Sequence, residues 1–160
     1  MKICIIPARG GSKRIKNKNL KKFNGIPIIV QTLKNLKETK FFDKIIISTD
    51  HRKIKELSKK NGADLIINRE KHLLKDKIGT KEIVSDVIHK IKLSKKNSDF
   101  IYCLYPTSVF VKKKHLHESY KFLKKKKCDV VFSAMKYSHP IQRSFKYNNK
   151  ILKFNLKNMK

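Results

Sequence analysis

The residues best equipped for chemistry stand together near the start of the chain. They read Ile5-Ile6-Pro7-Ala8-Arg9-Gly10-Gly11-Ser12-Lys13-Arg14, followed by Lys18-Asn19-Leu20. An apolar strand that ends in a turn through paired glycines lets backbone N–H groups approach and converge on phosphate oxygens. Ser12 adds a hydroxyl donor, and Arg9, Lys13, Arg14 and Lys18 bring positive charge to the same turn. Arginine grips phosphate bidentately, whereas lysine acts as a point charge. The spacing fits neither the Walker loop nor the dinucleotide G-x-G-x-x-G. So much positive charge at one strand end suits a reaction in which pyrophosphate leaves. The plain alternative is a glycine-rich turn flanked by solvated basic residues.

Arginine usage makes a second case. Of the 41 basic residues only Arg9, Arg14, Arg52, Arg69 and Arg143 are arginine. In a chain so biased to lysine, the surviving arginines mark places that need the planar fork. Arg9, Arg14, Arg69 and Arg143 fall near expected strand ends, while Arg52 reads as an ordinary helix residue.

The elements that must position these residues alternate. β-branched apolar runs predict strands over Lys2–Pro7, Lys44–Thr49, Asp64–Asn68, Phe100–Leu104 and Asp129–Ala134. Between them, helical spacing carries Ile28, Ile29, Thr32, Leu33 and Leu36 after Pro27, then Ile54 and Leu57 behind an Asp50 cap, with Gly62 as the stop. A further helix capped by Thr80 carries Ile83, Val84, Val87, Ile88 and Ile91, and another spans about Lys113–Lys125. This order predicts an α/β fold: a mostly parallel sheet with helices on both faces. Ligands of such sheets bind beyond the carboxyl ends of the strands. At the end of the chain, Gln142–Tyr147 and Lys150–Phe154 alternate around Asn148-Asn149 and predict a β-hairpin. The change of character there divides the chain into an α/β core over 1–136 and a tail over 137–160.

Composition excludes several classes. Hydrophobic residues make up 39% of the 160, enough for a core. No apolar run approaches the ~20 residues of a membrane span, and the opening run is too short for a signal-peptide core, so a cytoplasmic protein is expected. Cys4, Cys103 and Cys128 stand in apolar runs and read as buried free thiols rather than as disulfides or zinc ligands. The six histidines show no metal spacing. The net charge of +29 is spread over the polar face of nearly every segment, which argues against a specific nucleic-acid stripe.

The first loop, with Phe42-Asp43-Lys44-Ile45-Ile46-Ile47-Ser48-Thr49-Asp50, Ile67-Asn68-Arg69-Glu70 and Tyr105-Pro106-Thr107-Ser108, resembles the acylneuraminate cytidylyltransferase family. Phe132-Ser133-Ala134 and His139-Pro140-Ile141-Gln142-Arg143-Ser144-Phe145 bring the resemblance closest to its pseudaminic acid branch. The similarity covers essentially the whole chain. It implies a Rossmann-like nucleotide-diphospho-sugar transferase fold. It also implies a reaction in which the anomeric hydroxyl of an acidic nine-carbon sugar attacks the α-phosphorus of CTP and pyrophosphate leaves.

Position by position, the resemblance makes Arg9 and Lys18 the catalytic cations. Ala8, Gly10, Gly11, Ser12, Lys13, Asn19, Arg69 and Thr80 would bind nucleotide, and Tyr105, Gln142 and Arg143 would meet the sugar. Tyr105 stands where the sialic-acid enzymes carry glutamine, which favours a modified nonulosonate. The resemblance also makes 1–136 the nucleotide-binding core and 137–160 the start of a substrate and dimerisation arm, and it implies magnesium and a homodimer. The family's metal-binding aspartates lie beyond the point where this chain stops, so no metal ligand is assigned and a C-terminally truncated copy is expected. Two rival readings remain at this level: a catalytically impaired CTP-binding remnant, and a basic nucleic-acid-binding module.

Overall fold

A computed structural model describes residues 1–12, 14–93, 100–136 and 138, with the backbone of 145–148 and 151–154. It divides into two compact units, residues 1–120 and 121–160.

In the first unit β1 (Lys2–Pro7), β4 (Lys44–Thr49), β5 (Leu65–Asn68) and β6 (Phe100–Cys103) form a four-stranded sheet in the order β5-β4-β1-β6. Every pairing in it is parallel. The chain moves outward from β1 to β4 and β5, then returns to place β6 on the other side of β1. Strand order therefore reverses at β1, and the crevice of such a sheet opens at that reversal, beyond the carboxyl end of the strand. The loop beginning at Ala8 leaves β1 at this point.

Strand pleating explains why both faces are covered. Ile3, Ile5 and Ile46 turn one way and pack with Val87 of α3 (Thr80–Lys90). Cys4, Ile6, Ile45 and Ile47 turn the other way, against Ile29, Leu33 and Leu36 of α1 (Ile28–Glu38) and Ile54 of α2 (Arg52–Lys60). Burying each such side chain contributes about 1.5–3 kcal/mol, so these two layers hold the sheet edge-on to the site. Gly62, at φ +98, ends α2 in the left-handed region as expected.

Four details differ from the sequence expectations. A small hairpin, β2 (Lys22–Phe23) with β3 (Ile26–Pro27), precedes α1; its turn is Asn24-Gly25, both at positive φ. That dipeptide is the strongest short hairpin signal, hidden here by the shortness of its strands. Asp50 is not a helix cap: His51 holds the N-cap position of α2, with no side-chain cap bond. Thr80 is likewise the first residue of α3 rather than its cap, which is Gly79. Residues 129–134 form no strand; Val130 and Phe132 are 72% and 81% exposed. An apolar β-branched run becomes a strand only where a ladder partner accepts it, and none does here among the described residues.

The second unit holds the end of α4 (Lys113–Lys126), which begins in the first, and an antiparallel hairpin, β7 (Phe145–Asn148) with β8 (Ile151–Phe154). Its register pairs Phe145 with Phe154 and Asn148 with Ile151, the hairpin that the alternation predicts, and residues 149–150 between the strands lie outside the described residues. The thiol expectation holds for one cysteine: Cys4 is buried, Cys103 exposed and Cys128 intermediate.

Candidate active site

Beyond the end of β1 lies a cavity of about 780 Å³, lined among others by Arg9, Ser12, Arg14, Lys18, Asn19, Arg69, Thr80 and Tyr105. Seven of the residues assigned from sequence thus face one space, drawn from the β1 loop, the end of β5, the start of α3 and the end of β6. Arg14 joins them. Lys13, Gln142, Arg143 and His139 lie outside the described residues.

The end of β4 is the template on which the loop is laid. Ala8 N–H donates to Ser48 O at 2.9 Å and Thr49 Oγ1 donates to Ala8 O at 2.5 Å. Gly10 N–H donates to Asp50 Oδ1 at 2.9 Å. Asn19 Nδ2 closes the loop by donating to Arg9 O at 2.9 Å. Ala8 is fully buried and does not line the cavity; its place is structural.

Gly10 departs from the phosphate-cradle expectation. Its N–H is committed to Asp50, and its lack of a side chain admits His51: a Cβ there would stand 2.5 Å from His51 Cδ2. Around Gly11, by contrast, nothing lies within 4 Å of a Cβ position, so that glycine leaves open space for a ligand to approach.

Arg69 is 4% exposed. Its Nη2 donates to Ser48 O at 2.8 Å and its Nε to Ser48 Oγ at 3.3 Å. Burial pulls its guanidinium below the usual arginine value; the Asp50 carboxylate opposes that pull and the Arg9 charge adds to it. Two like charges sharing one cavity wall are a standing invitation to an anion. Arg9 itself donates from Nη1 to Leu74 O at 3.1 Å and pairs with Asp76 Oδ1 at 2.9 Å. Arg52, as expected, is a surface helix residue, paired with Glu56 one turn on.

The opposite wall is tied down independently. Thr32 Oγ1 of α1 donates to Pro106 O at 2.6 Å, and Asn35 Nδ2 to Val109 O and Val111 O at 3.1 and 2.7 Å. Phe23 of the small hairpin meets Phe110 edge-on at 5.7 Å. These bonds set the loop carrying Tyr105, whose hydroxyl lies 2.7 Å from Thr80 Oγ1. Asn19 Oδ1 is buried in the wall with no hydrogen-bond partner among the described residues.

Sequence reasoning singled out Asp50 but read it as a helix cap, and it missed His51 and Asp76. A usable signal existed: acids number only 12 against 41 basic residues, so a surviving aspartate beside a basic loop is as informative as a surviving arginine. No group of three or more metal-binding side chains occurs among the described residues. The nearby carboxylates are engaged otherwise, Asp50 with Gly10 and Asp76 with Arg9, so these residues do not by themselves fit a metal centre.

Comparison with known proteins matches this arrangement. The cytidylyltransferase family model matches residues 3–156. A pseudaminic acid cytidylyltransferase of Campylobacter jejuni is 34% identical over 160 residues, covering 99% of this chain and 69% of the relative. A Helicobacter pylori protein, pseudaminic acid cytidylyltransferase and UDP-2,4-diacetamido-2,4,6-trideoxy-beta-L-altropyranose hydrolase, is 34% identical over 148 residues, 92% of this chain and 28% of its own length. Among solved structures, a CMP:2-keto-3-deoxy-manno-octonic acid synthetase complexed with CTP superposes with a TM-score of 0.64 at 17% identity, over 79% of this chain and 48% of that one. A cytidylyltransferase of Leptospira borgpetersenii gives 0.58 at 21% identity, over 78% and 49%. At those identities the superpositions speak for the fold alone, and this chain spans about half of each solved chain. The family match over nearly the whole sequence, on the fold and cavity just described, places the chain in the cytidylyltransferase family.

Proposed function

We propose that this protein transfers CMP from CTP to a nonulosonic sugar acid, pseudaminic acid in the first instance, and releases pyrophosphate. The observation that carries the reading is the convergence of Arg9, Arg14, Lys18 and Arg69 on one cavity at the strand-order reversal, in a chain whose other cations are almost all surface lysines. The near-full-length relationship to pseudaminic acid cytidylyltransferases supports the choice of nucleotide and sugar.

In this reading the sugar's anomeric hydroxyl gives up its proton to solvent as its oxygen forms a bond to the α-phosphorus, while the bond from that phosphorus to the β-phosphate bridging oxygen breaks and its electron pair leaves with pyrophosphate. Arg9 and Lys18 hold the triphosphate and stabilise the charge that develops on it. Removing one such preorganised donor commonly costs ~10²–10³ in rate. Ser12 and Gly11 line the phosphate path, with Lys13 as a further phosphate contact in this reading. Arg69, immobilised on Ser48, presents a fixed cation. Thr80 meets the base or ribose, and the unsatisfied Asn19 acceptor suits a ligand N–H or O–H. Tyr105 faces the sugar from the other wall, with Gln142 and Arg143 as further sugar contacts. Residues 1–136 act as the nucleotide-binding core and 137–160 as the start of the substrate and dimerisation arm. No helix among the described residues is long and apolar enough to cross a membrane, in keeping with a cytoplasmic site of action. Magnesium would neutralise the phosphates if it entered with them, but the described residues build no site for it, and every step assigned above uses side chains of this chain.

The test is pyrophosphate release with CTP, ATP, GTP or UTP, offered pseudaminic acid and N-acetylneuraminic acid in parallel. Release only with CTP and preferentially with pseudaminic acid is expected, and it should vanish in Arg9→Ala. Equal release without any sugar acid, or with every nucleotide, would overturn the reading.

A further inference from the structure

Arg9 reaches the cavity already engaged. One nitrogen, Nη1, both donates to Leu74 O at 3.1 Å and pairs with Asp76 Oδ1 at 2.9 Å. One hydrogen of that NH₂ goes to Leu74 O, and the Asp76 carboxylate stands against the same nitrogen as an ion pair. A phosphate oxygen that approaches this nitrogen therefore competes with a carboxylate already beside it.

The two acceptors differ in how easily they yield. Leu74 O is backbone, held by a short 3-10 turn, Lys71–Leu74, whose Leu73 is only 6% exposed. Asp76 reaches in from the side, its side chain 45% exposed, on the stretch between that turn and α3. Lys75, Asp76 and Ile78 of this stretch line the same cavity as Ser12 and Lys18. A carboxylate in a wall whose other charged side chains are all cations is also the group a triphosphate repels most strongly.

We infer that Asp76 is the counter-ion which Arg9 exchanges for the nucleotide's phosphates, a positioning residue that sets nucleotide affinity through Arg9; this rests on the nucleotide-binding reading of the cavity. With the site empty, Asp76 and Leu74 O hold the guanidinium extended toward the cavity. When the triphosphate arrives, the phosphate takes the Asp76 side of Nη1 and the carboxylate turns outward. When pyrophosphate has formed, Asp76 competes for Arg9 again and assists its departure. Exposed ion pairs are weak, so the exchange is inexpensive and shows as a change of a few fold in affinity.

The experiment is an equilibrium titration of the full chain with CTP, and separately with inorganic pyrophosphate, for wild type, Asp76→Asn and Asp76→Glu, beside the melting temperature of each without ligand. Asp76→Asn is expected to bind both anions up to about fivefold more tightly, the factor set by the strength of an exposed pair, while melting at or below the wild-type temperature. Opposite signs of the two effects separate competition from a merely structural role, which would lower both. Asp76→Glu keeps the charge and should stay within about twofold of wild type. If wild type binds CTP and Asp76→Asn binds it equally or more weakly, the inference is wrong and the nucleotide reading survives. If wild type shows no saturable CTP binding, both fail.

Discussion

Replacing Gly10 by alanine should damage this protein through a single neighbour. The built Cβ would lie 2.5 Å from His51 Cδ2 and 3.0 Å from His51 Cβ and Cγ, where carbon atoms prefer about 3.5–4.0 Å. Gly10 does not sit at positive φ, so the backbone itself accepts alanine, and the overlap is the whole obstacle. Two of the three close atoms belong to the base of the ring, so a small swing of its tip gives little relief. Overpacking of this kind costs about 1–3 kcal/mol. If the loop shifts instead, the Gly10 bond to the Asp50 carboxylate weakens, a charge-assisted bond of about 1.5–3 kcal/mol. We therefore expect a loss of about 2 kcal/mol, or about 4–8 °C in a thermal melt of a chain this size. The decisive arm is His51→Ala: in that background, adding Gly10→Ala should cost less than about 0.5 kcal/mol, because the group it strikes is gone. Gly11→Ala is the control, since nothing lies within 4 Å of its Cβ position; its stability should stay within about 0.5 kcal/mol of wild type, and any fall in CTP affinity there reports the ligand rather than the fold. Equal costs of Gly10→Ala with and without His51, measured by denaturant titration, would refute this account.

Other expectations follow from the same geometry. Arg69→Leu should lower CTP affinity at least about tenfold, the loss of one charge-assisted contact, while changing stability little, because a desolvated charge leaves together with its bonds and Ser48 O keeps the Ala8 N–H; unchanged affinity in a titration would remove Arg69 from the site. Tyr105→Phe deletes the hydroxyl bonded to Thr80 and should raise the KM for the sugar acid about two- to fivefold, as befits one exposed hydrogen bond, with the KM for CTP moving less; the reverse pattern would place Tyr105 on the nucleotide side. Burial raises the Cys4 thiol far above its ordinary value, and local desolvation of its sulfur raises Cys103 as well, although that residue is exposed at the sheet edge, leaving less thiolate at a given pH. At pH 8 a thiol reagent should therefore modify Cys103 more slowly than free cysteine, speed up as pH rises, and reach Cys4 only after denaturation. Rapid labelling of Cys4 in the native protein would contradict the sheet packing.

Much of the fold was legible because its signals are local. Ile3 to Ile6 and Ile45 to Ile47 are continuous apolar runs, and a strand buried on both faces has no other way to look. Ile29, Leu33 and Leu36 recur at helical spacing because only one side of α1 meets the sheet. The pairing of β7 with β8 follows an alternation that the two strands themselves carry. The segment 129–134 shows where such reasoning stops: its composition is that of a strand, but pairing is supplied by another part of the chain, and no residue of the segment encodes whether that partner is present.

The site divides in the same way. From the sequence alone came the loop with its paired glycines, the rare arginines beside strand ends, and the expectation that they share one anion; each follows from side-chain chemistry and from where a strand stops. What only the tertiary structure decided is which groups these residues meet. Asp50 stands 40 positions from Gly10 and takes its N–H, and Leu74, 65 positions from Arg9, takes an N–H of its guanidinium beside Asp76. Such partnerships depend on sheet order, which sets β4 beside β1 and returns the chain past its carboxyl end. They are written in no local pattern, because a hydrogen bond reads distance in space and the chain records only distance in sequence.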